Sequence, residues 1–332
     1  TNAAPACPFD LAHHYTLRSG EPGFWNHLAY GHDASRSPGV HELGQFNFCL
    51  RVNPGLFATA AVDDARLVPF PRPEALRGAE AVMDATYRLP SGAIYSKYFF
   101  SAAMDSSHRV HGAMGDGVGV WIAMPSHEHL NGGPEHQELT VHQTDTTPVL
   151  LHHAVAGHYG AGAVVSASSN GSWRQVSAPC FVFANAGAGA AALWRDAKAR
   201  ADAEAARWPH AWLGREFAPD GRGRMTGRLA IDGAPAPAGA WVILAGHEAA
   251  ENPLDWQQQW RGCRYHARTA ADGRFDLAHV RPGRYDLHAW SPGRFGRFVQ
   301  RGVEVAPRQT TDVATLDWRP PATGEVLWQI GT

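Results

Sequence analysis

From about Gly223 to Gly293 the chain is cut into short runs by glycine- and proline-bearing turns. The runs are RMTGRLAI, AWVILAG, RYHARTA, RFDLAHV and RYDLHAW, with Asp272-Gly273, Arg281-Pro282-Gly283 and Ser291-Pro292-Gly293 between or after them. Apolar and polar residues alternate within each run, and the turns recur at roughly ten-residue spacing. That is the pattern of a small antiparallel sandwich, and it leaves no room for long helices. Comparable short runs occur earlier, at Gln45–Val52, Ala93–Phe100, Gly117–Ala123, Pro148–Ala156 and Ala178–Ala184. With 35 glycines and 23 prolines in 332 residues, the expectation is an all-β, multidomain chain. One segment departs from it. Ala190–Trp208 is built from helix formers, has a polar face and meets Pro209 at its end, so it reads as a helix with a domain boundary close after it.

Charge and apolar content exclude several classes. A formal net charge of -2 supplies no basic footprint for nucleic acid. No window approaches the roughly 18 uninterrupted apolar residues of a membrane span. Cys7, Cys49, Cys180 and Cys263 are far apart and form no C-x-x-C pair; Cys49 and Cys180 sit in apolar runs where buried free thiols are common. The sequence opens at Thr1 with no leader, as expected of a processed form or a piece of a longer chain.

Basic residues are distributed unevenly by type. Of 29 Lys+Arg, only Lys97 and Lys198 are lysines. Arg cannot accept a proton at accessible pH, whereas a desolvated Lys can have its pKa lowered into the working range. Lys97 lies between Tyr95 and Tyr98 in a predicted strand, a setting suited to such a shift and equally open to a plain surface lysine. Lys198 lies on the polar side of the predicted helix beside Asp196, where a solvated charge explains it.

Histidine is the second signal. The segment SHEHLNGGPEH, with His127, His129 and His136 near Glu128, Glu135 and Glu138, invites comparison with the metal sites of cupin jelly rolls. The Asn131-Gly132-Gly133-Pro134 turn interrupts it, and the spacing favours polar loop residues. His158, in AGHYG after an apolar strand, suits presentation into a cleft or a surface strand end. Trp241, Trp256, Trp260 and Trp290 could stack on sugars, although core filling suits them better.

Five stretches together resemble polysaccharide lyase family 4, the rhamnogalacturonan lyases. They are LRVNPGLFATAAVDDARLVPFP, YSKYFFSAAMDSSHRVHG, WIAMPSHEHLNGGPEHQELTVH, AVAGHYG with GSWRQVSAPCFVFAN, and ADGRFDLAHVRPGRYDLHAWSPG with the closing LWQIG. The resemblance implies a galactose-mutarotase-like β-sandwich portion over residues 1–208, ending in a linker helix. A fibronectin type III-like domain follows over 223–316, and 324–332 begins a carbohydrate-binding-like jelly roll. Relative to the family the chain looks truncated at both ends.

It also implies cleavage of the α-1,4 bond between rhamnose and galacturonate in rhamnogalacturonan I by β-elimination, with no cofactor and no metal. Lys97 matches the general base, His158 the general acid and Arg51 the arginine that holds the uronate carboxylate. His111 occupies a further position that could contact substrate, or be a structural histidine before a glycine turn. The expected partner is pectic polysaccharide, with no nucleic acid and no membrane, acting as a secreted monomer. The rival readings are a non-catalytic carbohydrate-binding β-sandwich protein and a His-ligated cupin-type metalloenzyme.

Overall fold

In the computed structural model, the residues described are 7–36, 39–83, 86–96, 98–101, 109–128, 138–143, 147–156, 165–167, 172–247 and 263–321. They divide into two compact units, with the break at Trp208 and Pro209.

The first unit begins with β1 (Asp10–Leu17), β2 (Gly23–His32), β3 (His41–Leu43), β4 (Gln45–Arg51), β5 (Phe57–Asp63) and β6 (Arg66–Pro69). A one-turn helix α1 (Pro73–Arg77) leads to β7 (Glu80–Met83), β8 (Thr86–Arg88), β9 (Ile94–Ser96) and β10 (Tyr98–Ser101). Then come β11 (Val110–Gly115), β12 (Val118–Ala123), β13 (Glu138–Gln143), β14 (Pro148–Ala156), β15 (Val165–Ala167), β16 (Trp173–Val176), β17 (Cys180–Ala186) and helix α2 (Ala190–Arg207).

An eight-stranded sheet runs β1-β2-β17-β12-β11-β5-β6, with β16 also on β2, and a four-stranded sheet runs β10-β13-β14-β4. Between them lies a core in which Ala60, Val62, Ala113, Ile122 and Val182 meet Phe48, Val141 and Leu150. Strand alternation explains which residues enter it: Phe48 and Leu50 turn inward, so Cys49 between them turns out. The expectation of a buried thiol therefore holds for Cys180, which is fully buried, and fails for Cys49, which is exposed; all four cysteines are free.

Helix α2 does more than link. Leu193, Trp194, Ala197 and Ala201 form its buried face, and Trp194 packs on Trp121 of β12 with ring centroids 5.6 Å apart. Glycine makes room for the Trp121 ring. A Cβ at Gly112 would stand 2.6 Å from Trp121 Cε3 and one at Gly119 2.5 Å from its Cζ2. Trp194 Nε1 and Lys198 Nζ both donate to Asp64 Oδ1, at 2.8 and 2.6 Å. Lys198 is thus not the solvated charge its helix position suggested; its partner is 134 residues away and its side chain only 23% exposed.

The second unit holds β18 (Gly223–Ile231), β19 (Ala234–Pro235), β20 (Trp241–Gly246), β21 (Tyr265–Arg268), β22 (Arg274–Val280), β23 (Gly283–Trp290), β24 (Phe298–Val305) and β25 (Thr310–Trp318). One sheet has β18 flanked by β22 and β25 and paired with β19; the other runs β21-β20-β23-β24. Met225, Leu229, Phe275 and Leu316 from the first pack on Val242, Leu244, Leu287 and Val303 from the second. Tyr285 Oη donates to the Arg281 carbonyl four residues upstream at 2.7 Å, the bond that pins the corner of immunoglobulin-type sandwiches. The five strands read from alternation are present, and β24 and β25 extend the sandwich beyond them.

Candidate functional site

The four-stranded sheet of the first unit has two faces of different character. Its inner face carries Phe48, Val141 and Leu150 into the core, while Leu139, Val149 and Leu151 cluster with Tyr98 on the outer side. Register places Tyr98 opposite His142, His142 opposite Val149, and Val149 opposite Arg51, so one cross-strand row runs from β10 to β4 on that outer side. Arg51 is exposed and has no ion-pair partner among the described residues. Asn47, two steps along the same face of β4, lies opposite His153, and its Nδ2 is 3.4 Å from His153 Nδ1.

Lys97 and His158 lie outside the described residues, but their neighbours do not. Ser96 ends β9, which pairs with β8, and Tyr98 begins β10, which pairs with β13. Both lie within the predicted strand Ala93–Phe100. Tyr95 is buried, its hydroxyl 3.5 Å from Gln143 Oε1, and burial pushes that hydroxyl's pKa up. Beyond β14, the last described residue before His158 is Ala156, paired with Gln45. Seven residues separate it from Val149, about 23 Å of extended strand.

His111 has a well-defined place. It is 2% exposed and faces into the sandwich from β11, and its Nε2 donates to the Leu151 carbonyl of β14 at 2.8 Å, tying the two sheets together. Burial holds its pKa down at about 4, against a smaller upward pull from that hydrogen bond. Nδ1 is buried with no hydrogen-bond partner among the described residues. Gly112 after it is not a turn: it lies inside β11, opposite Trp121.

Of the histidine-rich segment, His127 and Glu128 are described, and Glu128 is buried with its backbone N–H donating to Ser126 Oγ. His129, Glu135 and His136 lie outside the described residues. Among the described residues no group of three His, Cys, Asp or Glu side chains could hold a metal ion. Trp241 is buried and packs on Trp290 with centroids 6.1 Å apart, which makes it a core residue rather than a sugar platform; Trp256 and Trp260 lie outside the described residues.

Sequence reasoning overlooked Tyr98, His142 and Asn47 as companions of Arg51. Asn47 was findable, because it shares the parity of Arg51 on one strand. Tyr98 and His142 join the row only through pairing across three strands.

Comparison with known proteins now bears on this geometry. Residues 235–313, within the second unit, match the family model described as polysaccharide lyase family 4, domain II. A rhamnogalacturonate lyase of Dickeya dadantii is 34% identical over 252 residues, 75% of this chain and 40% of that protein. The chain belongs to polysaccharide lyase family 4. A probable rhamnogalacturonate lyase B of Aspergillus flavus is 27% identical over 96% of this chain and 50% of its own length. Rhamnogalacturonate lyase B of Emericella nidulans is 26% identical over 97% of this chain and 50% of its own. The chain therefore spans 40–50% of the length of these family 4 relatives. Among solved structures, a putative carbohydrate binding protein from Pseudomonas aeruginosa covers 30% of this chain and 91% of its own, with 20% identity and a TM-score of 0.19. A likeness that slight carries no argument. The family 4 match agrees with the all-β, multidomain fold of the described residues.

Proposed function

We propose that the chain carries the catalytic sandwich of a rhamnogalacturonan lyase acting on pectic polysaccharide outside the cell as a monomer, with the domains the sequence suggested at 1–208, 223–316 and 324–332. The observation that supports it best is Arg51: an exposed guanidinium with no ion-pair partner among the described residues, in one cross-strand row with the residue that follows Lys97. A guanidinium grips a carboxylate through two parallel hydrogen bonds. Offsetting the uronate charge in this way acidifies C5–H, and neutral Lys97 then takes that proton. The C4–O bond breaks as the C4–C5 double bond forms, and His158 gives a proton to the departing glycosidic oxygen.

His111, buried and bonded to Leu151, serves the wall of the site; direct substrate contact at this residue would require that bond to open.

The test is release of unsaturated uronate, read as ultraviolet absorbance, from rhamnogalacturonan I in the presence of EDTA. Lys97→Arg keeps charge and reach but removes basicity, and should cost about 10²–10⁴-fold in rate. An active Lys97→Arg protein sinks the base assignment. Folded protein that binds the polysaccharide without producing absorbance would instead be a carbohydrate-binding sandwich, and activity abolished by EDTA would favour a metal-dependent enzyme.

A further inference from the structure

The second unit has an open groove of about 750 Å³ on the face of the β18–β22–β25 sheet that points away from its core. Register arranges the lining in two rows. Asp276, Thr226 and Asp312 stand side by side, and next to them stand Arg274, Arg228 and Thr315. Arg228 and Arg274 are thus directly opposed like charges, an arrangement that costs stability unless an anion lies between them. Among the described residues the pair shares one carboxylate: Asp272 Oδ2 lies 3.3 Å from Arg274 Nε and 3.9 Å from Arg228 Nη2. One positive charge of the two remains uncompensated by it.

Arg268 adds a third guanidinium to the lining. It is held in place by stacking, 3.6 Å from the Trp241 ring centroid, and by an Nη1–H bond to the Gly239 carbonyl at 2.7 Å. A planar cation fixed on an indole has little entropy left to lose when it takes a partner. Of the acids of the lining, Asp276 is gripped by Arg224, and Asp312 keeps its charge while its Oδ1 accepts the Ala314 N–H at 2.9 Å.

We propose that this groove is a second, non-catalytic binding site for an acidic glycan. Uronate carboxylates would lie against Arg228, Arg268 and Arg274, and sugar hydroxyls would donate to Asp312 and exchange hydrogen bonds with Thr226 and Thr315. The proposal takes from the catalytic reading only the acidic class of the glycan, and its residues are separate from Lys97, His158 and Arg51.

Isothermal titration of the full chain carrying Arg51→Ala, with trigalacturonate, isolates the groove from the catalytic face. Binding should be absent for a neutral galactotriose and should weaken about a hundredfold or more when Arg228→Gln and Arg274→Gln are added, since each removes a charge-assisted hydrogen bond. Arg308→Gln, an exposed arginine of the same unit paired with Asp220, controls for net charge and should leave binding unchanged. With Arg51 intact, Arg228→Gln/Arg274→Gln should keep the wild-type elimination rate on a short substrate. No binding to the Arg51→Ala protein, equal binding of the neutral sugar, or equal loss with Arg308→Gln would each overturn the proposal. Absent elimination in every form, with the titration pattern retained, would instead overturn the catalytic reading and leave the groove standing.

Discussion

His111 shows how much one buried side chain can set. Its ring spans the core of the first unit and holds the Leu151 carbonyl, in an environment that keeps its pKa at about 4 against 6.5 for the free side chain. The folded value is depressed, so between those two pH values the unfolded chain binds a proton that the native chain refuses. Stability contributed here is present above pH 6.5 and is lost as pH falls toward 4, about 3 kcal/mol in all. Urea unfolding at pH 7 and pH 4.5 should show this loss in the wild type and a smaller one in His111→Gln, which cannot titrate. Equal pH dependence in both proteins would assign the acid sensitivity elsewhere. The glycine after His111 suggested a turn in the sequence, where only the residue types were visible. What the types could not show is that Gly112 is inside a strand, with the Trp121 ring lying where its Cβ would be.

At the scale of elements, α2 is the clearest case of a legible segment with an illegible role. Its composition and the proline after it defined the helix to within one residue, because helix propensity and termination are local properties. Its function as a cover for the eight-stranded sheet depends on Trp121 and Asp64, which precede it by many residues. Leu193, fully buried on that face, should cost about 2–5 kcal/mol when changed to alanine. Chemical denaturation checks this; a loss below about 1 kcal/mol would mean that the helix is not packed as described. The strand predicted at Ala93–Phe100 is a different case: its β propensity says nothing of its partners, and pairing joins Ile94–Ser96 to β8 and Tyr98–Ser101 to β13.

For the molecule as a whole, each unit is a sandwich with its own apolar cluster. Calorimetry should accordingly resolve two transitions. Leu287→Ala, which empties a fully buried position in the second unit, should lower one of them by about 8 °C or more and leave the other in place, given about 4–8 °C per kcal/mol for a domain of this size. A single transition that moves as a whole would show one cooperative system instead.

The sequence by itself determined the all-β class, the helix and its end, five strands of the second unit and the arginine-rich composition that made Lys97 conspicuous. These follow from alternation, turn chemistry and propensity, which act over a few residues. Tertiary structure decided which outward residues share a row with Arg51, which carboxylate holds Lys198, that Cys49 faces out, and that Arg228 and Arg274 stand side by side over a groove. Those outcomes depend on strand register and sheet order, which pair residues as far apart as Gly23 and Phe183, and no pattern within a single strand encodes its partner.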